Sequence, residues 1–383
     1  MYCGGSAALL FSSDTPELMH SIARRLQRSV ILALLVGCGR AEVVRIGDGY
    51  PRDESLPFLE AIRPAVESSG VLISTWSVGG DPRITIQLNT EQASLFADDP
   101  TLVAVVGHTG SREALLAAAV YNAREVPHVV PNATSGLLGQ SGPWTFTLVP
   151  SDSVEGAFIA GYALDSLRAS RLGVLYLGDE YGIGLRDGVR AALRRRGTDF
   201  VDASMIPSDW CYAEPAATIH RAIINAALRR SKPDVVVVTT GSSSGWCTAE
   251  LIHQANPETW IIFGDGMDGA RQVPDLTPRV NPARIRGVEF WAPSTDSMSR
   301  AFVDRVQGKV NQPLGASHAL QYDAYMLLAA AIREAGPDRR AIRRWLESLG
   351  VSREPWQGVT GPIAFNRPRS EILRMSGPTV SVP

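Results

Sequence analysis

The sequence predicts an α/β protein built from two mainly parallel sheets, each flanked by helices. From Glu42 onward, short apolar, β-branched runs alternate with segments of helical period. Such runs suit strands buried on both faces, which is how parallel sheets covered by helices are made. The alternation also pauses near Pro150 and then resumes, which divides the chain into two halves.

Each element follows from its pattern. VVRIG (43–47) reads as a strand and LPFLEAIRPAVES (56–68) as a helix carrying a proline. VLISTWSV (71–78) is a strand, TEQASLFAD (90–98) a helix and LVAVVG (102–107) a strand. SREALLAAAVYNARE (111–125) is a helix opened by Ser111, and VPHVVPN (126–132) another strand. After Pro150 come a helix (GAFIAGYALDSLR), a strand (RLGVLYLG), a helix (YGIGLRDGVRAALRRRG) and a strand (DFVDASMIP). The helix AATIHRAIINAALRR, the strand DVVVVTT, the helix GWCTAELIHQA and the strand WIIFGDG complete the series.

Ahead of these lies a leader. Arg24, Arg25 and Arg28 precede a seven-residue apolar run, Val30–Val36, followed by Gly37-Cys38. This order of charge, apolar run and small residues is that of an export signal. The run is far short of the roughly 20 residues that span a bilayer. Met19 opens a leader of ordinary length. The tetrad Leu35-Val36-Gly37-Cys38 resembles the lipobox of bacterial lipoproteins, which implies a lipid on Cys38 and residues 1–37 as a removed signal. About 345 residues follow, enough for two ordinary domains. The chain is 45% hydrophobic and 20% charged with a net charge of −2, so it carries no electrostatic footprint for nucleic acid. Beyond the leader no apolar run is long enough to span a membrane. The six His are scattered, and two Cys without paired His make a poor zinc site, so no metal and no cofactor are expected. Cys211 and Cys247 stand near the ends of successive strands and are candidates for a disulfide.

In sheets of this kind the ligand crevice lies outside the carboxyl ends of the strands. The residues there are 107–111, 132–135, 178–181, 240–246 and 264–268. They are rich in Gly, Ser and Thr, with acids and a Tyr among them. Hydroxyls and helix N-termini suit a carboxylate, and an Asp suits an ammonium group. An α-amino acid needs both, although each residue taken alone is also an ordinary turn or cap residue. Trp210, Tyr212 and Trp246 could line a side-chain pocket or simply pack. Two enzyme patterns compete. Gly264-x-Gly266-x-x-Gly269, with Glu289 beyond it, has the form of a dinucleotide fingerprint, but Pro274, Pro278 and Pro282 deny it the helix it must open. Gly241-Ser242-Ser243-Ser244-Gly245 has the form of a nucleophile elbow. With Asp265 or Asp268 and His318 it makes a serine hydrolase using Ser243 the alternative from another class.

The run VAVVGHTGSREALLAAAVYNAREVPHVVPNATS resembles the type I periplasmic binding proteins, specifically their leucine/isoleucine/valine-binding branch. GDEYGIGL, WIIFGDG, IRGVEFWAP, HALQYDAYMLLAAAI and VTGPIAFN agree with it. The resemblance implies two lobes joined by three hinge crossovers, near 148–151, 292–294 and 360–363. Lobe 1 would be 38–149 and 294–360, and lobe 2 would be 150–293 and 361–383. The first-strand loop, Asp48 to Pro57, departs from the family. Carried over, Ser111 would bind the ligand carboxylate, and Thr134, with the backbone of Asn132, would make a second carboxylate contact and also bind the ammonium. Tyr181 would close over the ligand, and Asp265 would bind its ammonium, with Asp268 as a rival. The implied protein is a lipid-anchored, extracytoplasmic solute-binding protein and not an enzyme. It would capture an amino acid, branched-chain ones included, and deliver it to an ABC permease. A ligand-sensing receptor lobe of the same fold is the alternative.

Overall fold

In a computed structural model of the chain, residues 44–377 are described, apart from 51, 69, 71, 76–81, 208–210, 212–215, 271–278, 311 and 312. The leader with Cys38, and Trp210 and Tyr212, lie outside the described residues. The first sheet takes β1 (Arg45–Asp48), β2 (Leu72–Thr75), β3 (Leu102–Val106), β4 (His128–Val130) and β5 (Thr145–Thr147). Its order is β2-β1-β3-β4-β5, parallel throughout. Three helices connect these strands: α1 (Arg52–Glu67), α2 (Pro82–Asp98) and α3 (Ser111–Ala123).

The second half begins with α4 (Asp152–Gly161), which runs into a π-helical turn at Tyr162–Ser166. It continues through β6 (Leu172–Leu177), α5 (Glu180–Arg195), β7 (Asp202–Ile206) and α6 (Ala216–Ser231). Then follow β8 (Val235–Thr239), α7 (Ser242–Ala255), β9 (Trp260–Phe263) and β10 (Ile285–Glu289). The remaining helices are α8 (Ser297–Val306), α9 (Ala316–Ala335) and α10 (Arg339–Ser348). The chain ends on β11 (Trp356–Gly358), β12 (Gly361–Ile363) and β13 (Arg374–Ser376). The second sheet has the order β13-β10-β9-β8-β6-β7, parallel except where β13 runs antiparallel to β10. β11 and β12 form a separate hairpin, and the expected change of lobe at residue 361 falls inside it.

Burial explains the alternation. β3 and β8 are buried at every position, as continuous apolar runs covered on both faces must be. β7, at the edge, alternates half-buried and exposed residues instead and buries only its last, Ile206. α1 begins earlier than its pattern predicts and holds Pro57 and Pro64 inside it. Each proline removes one rung of the helix. The buried face of Phe58, Leu59, Ile62 and Val66 holds the helix together regardless.

After the second sheet the chain returns to the first lobe. The Tyr325 hydroxyl in α9 donates to Asp48 Oδ1 at 2.7 Å. The Arg339 guanidinium at the start of α10 donates to the carbonyls of Ala97, Asp99 and Leu102. Buried Arg369 then ties two passages together. It donates to Leu148 O at 2.6 Å and to Thr360 O and Pro362 O at 3.1 Å each. Asp323 grips the same turn, accepting from Val359 N at 2.7 Å, Thr360 N at 2.8 Å and Thr360 Oγ1 at 2.6 Å. Among the described residues no helix is long and apolar enough to cross a membrane.

Candidate functional site

The carboxyl ends of the strands of both sheets open toward one cleft. On the first-lobe wall, β3 ends in Gly107 and α3 opens at Ser111. Gly110 at the N-cap offers no side chain to the first turn of α3. The hydroxyl of Ser111 is buried and has no hydrogen-bond partner. Thr134, after β4, has a buried and unpartnered hydroxyl of its own. Buried hydroxyls normally find partners, and one of these, Ser111, opens a helix, where an anion is favoured. The Asn132 side chain is engaged elsewhere. Its Oδ1 accepts from the Tyr50 hydroxyl at 2.6 Å, and its Nδ2 donates to Ser317 Oγ at 2.7 Å. That leaves Asn132 its backbone, the part the resemblance assigns to the ligand.

The second-lobe wall is acidic. Asp265 follows β9 in a 3-10 turn, Asp265–Ala270, so the Gly264-x-Gly266-x-x-Gly269 run opens no α-helix. Tyr181, in the first turn of α5, accepts the Gly266 N–H on its hydroxyl at 3.0 Å. Its own hydrogen bond goes to Asp265, whose charge also helps to raise the buried phenol. Glu155, fully buried in α4, accepts the Asp265 N–H on Oε1 at 3.0 Å. A Cβ on Gly264 would stand 2.6 Å from the Tyr181 hydroxyl, so only glycine lets these groups crowd together. Asp152 at the start of α4 is buried with both carboxyl oxygens unpartnered. Asp265 Oδ1, Glu155 Oε2 and Thr240 Oγ1 are also unpartnered.

These acids are not ordinary carboxylates. Burial pushes Asp152 up to about 7; the nearby Thr134 hydroxyl partly opposes this without closing a full hydrogen bond, and Asp265 and Asp179 add to it. Burial raises Asp265 to about 6, and the neighbouring Tyr181 hydroxyl and Glu155 carboxyl keep it from rising further. Glu155 is raised well above the usual range, by burial first and by the Asp265 charge second. Three acids raised in this way form a wall that a cation would ionise. Among the described residues, no His, Cys, Asp or Glu cluster is arranged to hold a metal ion.

Among the described residues, contacts between the two walls include the Asp152 N–H donating to Thr134 O at 2.7 Å. Asp268 Oδ1 on the second lobe accepts the Ala316 N–H at the start of α9 at 2.9 Å. Arg112 and Glu180 approach to 4.0 Å at the rim. Asp268, the rival for the ammonium, is therefore engaged in capping a first-lobe helix.

Ser111 and Thr134 thus follow strands of the first sheet, and Tyr181 and Asp265 follow strands of the second. Trp246 packs edge-on against Phe263 with centroids 5.5 Å apart and belongs to the second-lobe core. Cys211 and Cys247, expected to be bridged, are both free thiols. Cys211 Sγ points to Ser244 O at 3.9 Å, and burial and then its neighbour Cys247 push its thiol up. His318 Nδ1 accepts the Gly315 N–H at 3.4 Å, and its ring packs at a tilt against Phe58 with centroids 5.6 Å apart. Asp152 and Glu155 escape the sequence reading. Their i, i+3 spacing, which puts both on one helix face, is the signal that could have found them.

Comparison with known proteins identifies the family. The family model described as "Periplasmic binding protein" matches residues 80–374. An "Amino acid binding protein" of Pseudomonas aeruginosa is 29% identical over 68% of this chain and 67% of its own length. A "Leu/Ile/Val-binding protein" of Rhizobium johnstonii is 25% identical over 61% of this chain and 60% of its own, so less than two thirds of that relative is spanned. In fold, the chain is similar to the leucine-binding protein LivK of Thermotoga maritima. The TM-score is 0.68 at 21% identity, covering 86% of this chain and 93% of that one. The matched span, the two parallel sheets and the cleft between them agree: this chain belongs to the periplasmic binding protein family.

Proposed function

We propose that this protein captures an α-amino acid, with branched-chain amino acids as the leading class, and delivers it to an ABC permease. It acts as a binding protein rather than an enzyme. It works outside the cytoplasm, held to a bacterial membrane by a lipid on Cys38. The observation that carries the reading is the pairing of opposite chemistries across the cleft. Buried, unpartnered hydroxyls at Ser111 and Thr134 on the first lobe would face Asp265 on the second, a half-buried acid beside Tyr181. The carboxylate of an amino acid fits the first wall and its ammonium the second. The names of the Pseudomonas and Rhizobium relatives support the ligand class. Crossovers near 148–151, 292–294 and 360–363 would act as the hinge that closes the lobes.

A thermal-shift panel of the twenty amino acids, followed by calorimetric titration of each hit, tests the reading. One or more aliphatic amino acids should raise the melting temperature and bind with a single site. Binding of none of the twenty would reject the ligand class.

A further inference from the structure

We infer that Glu155 stays a neutral carboxylic acid and, as a positioning residue, donates a hydrogen bond to Asp265, which alone carries the negative charge that meets the ligand ammonium. The inference deepens the amino-acid reading above and rests on it. The argument starts from a surplus of acids. Asp152, Glu155 and Asp265 all line the second-lobe wall, while the ligand offers one ammonium. No cation among the described residues is placed to balance the rest. Arg112, at the rim, faces Glu180 at 4.0 Å. The other groups packed around the pair are Tyr181 of α5, Asp179 just before it, Asp268 of the 3-10 turn, and the neutral hydroxyls of Thr134 and Thr240. Adjacent buried carboxylates cannot all ionise, so at least one keeps its proton.

Geometry says which one. Glu155 is fully buried, and its Oε1 is already oriented by the Asp265 N–H at 3.0 Å. Its remaining oxygen, Oε2, has no partner as an acceptor. Protonated, that carboxyl becomes a donor and finds the Asp265 carboxylate beside it. The sense of each group's influence on the other agrees: the contact raises Glu155 and lowers Asp265. Tyr181 donates to the same carboxylate from another direction. Asp265 is thereby held ionised by two neutral donors and presents one charge. The site accordingly selects ligands with a single ammonium at this end and gains nothing from a second cation there.

The test uses the wild type, Glu155→Gln and Glu155→Ala. Glutamine keeps both hydrogen bonds of a neutral acid, so it should fold and rescue the function. Infrared spectra of the ligand-free protein at pH 8 should show a protonated-carboxyl stretch in the wild type that is missing from Glu155→Gln. A wild type without that band, or a variant that keeps it, overturns the inference. With L-leucine and L-isoleucine as probes, Glu155→Gln should bind within about threefold of the wild type. Glu155→Ala should lose about tenfold or more, since a bond to a charged group is removed. A loss in Glu155→Gln as large as in Asp265→Asn would make Glu155 an ionised partner of the ligand and overturn the inference. If neither probe binds the wild type, these two are removed from the amino-acid reading, and the infrared result alone decides the state of Glu155.

Discussion

Replacing Arg369 by leucine should be the most damaging single change outside the cleft. Arg369 is 3% exposed, and its guanidinium serves three carbonyls on two separate passages, Leu148 on one and Thr360 and Pro362 on the other. Burial lowers it to about 10, partly restored by the Asp323 charge, so it is still a cation at neutral pH. Leucine fills much of the volume but leaves those carbonyls unserved and Asp323 without its cation. Removing one partner of a buried charge pair typically costs about 3–5 kcal/mol. Unfolding entropy of about 2 cal/mol/K per residue gives roughly 0.7 kcal/mol/K for the 334 residues of 44–377. The melting temperature should then fall by about 4–7 °C. Calorimetry of the ligand-free protein at neutral pH measures this directly. Arg369→Lys, with one cationic group and no fork, should fall between leucine and the wild type. A drop under about 1 °C for Arg369→Leu would refute the view that this guanidinium holds the two passages together.

The other expectations concern the site, the buried histidines, the thiols and the anchor. Asp265→Asn should weaken amino-acid binding about a hundredfold, since the ammonium loses its buried counter-charge, and titration calorimetry would expose an unaffected site. Wild-type affinity should also fall as pH drops through about 6, where Asp265 takes up a proton, while Asp265→Asn shows no such inflection. Burial holds His108 near 3 and His128 near 4, so the stability these neutral rings allow is present above their ordinary range and lost as pH falls toward those values. Asp152 and Asp265 are raised, so their contribution runs the other way and is lost as pH rises through about 6–7. Removing them in Asp152→Asn/Asp265→Asn should make urea stability drop about 3 kcal/mol further than in wild type between pH 7 and 5; equal slopes would contradict this. Oxidised glutathione should join the neighbouring Cys211 and Cys247 with release of two reduced glutathiones, and an intact mass that stays two hydrogens heavier after treatment would show otherwise. Cys38→Ser should abolish fatty-acid labelling of the exported protein, and a wild type that takes up no label would count against the anchor.

The strands were legible wherever burial on both faces wrote a continuous apolar run. β3 and β8 are the clearest cases, and the sequence alone places both to within a residue. The short strands β5, β11, β12 and β13 were not legible, because three residues carry no period. β13 owes its existence to an antiparallel partner, β10, some 85–90 residues earlier, and pairing at that distance leaves no local trace. The start of α1 was missed for a related reason. Pro57 argues for a boundary on local grounds, but the packing of Phe58, Leu59, Ile62 and Val66 outweighs one lost rung.

The site divides along the same line. Ser111, Thr134, Tyr181 and Asp265 stand at strand ends, where topology alone directs side chains to the crevice. Asp152 and Glu155 sit in the first turn of α4, where acids ordinarily complement the helix dipole. Their sequence context is therefore indistinguishable from a routine helix start. What sets them apart is that these two side chains of the first turn of α4 are buried, and that Asp265 arrives from 110 residues away to lie against Glu155. A carboxylate that looks like a surface cap in the sequence becomes, once covered, a group that must either lose its charge or find a cation. The three acids resolve this conflict together: the most enclosed one keeps its proton, and the one at the strand end keeps its charge for the ligand.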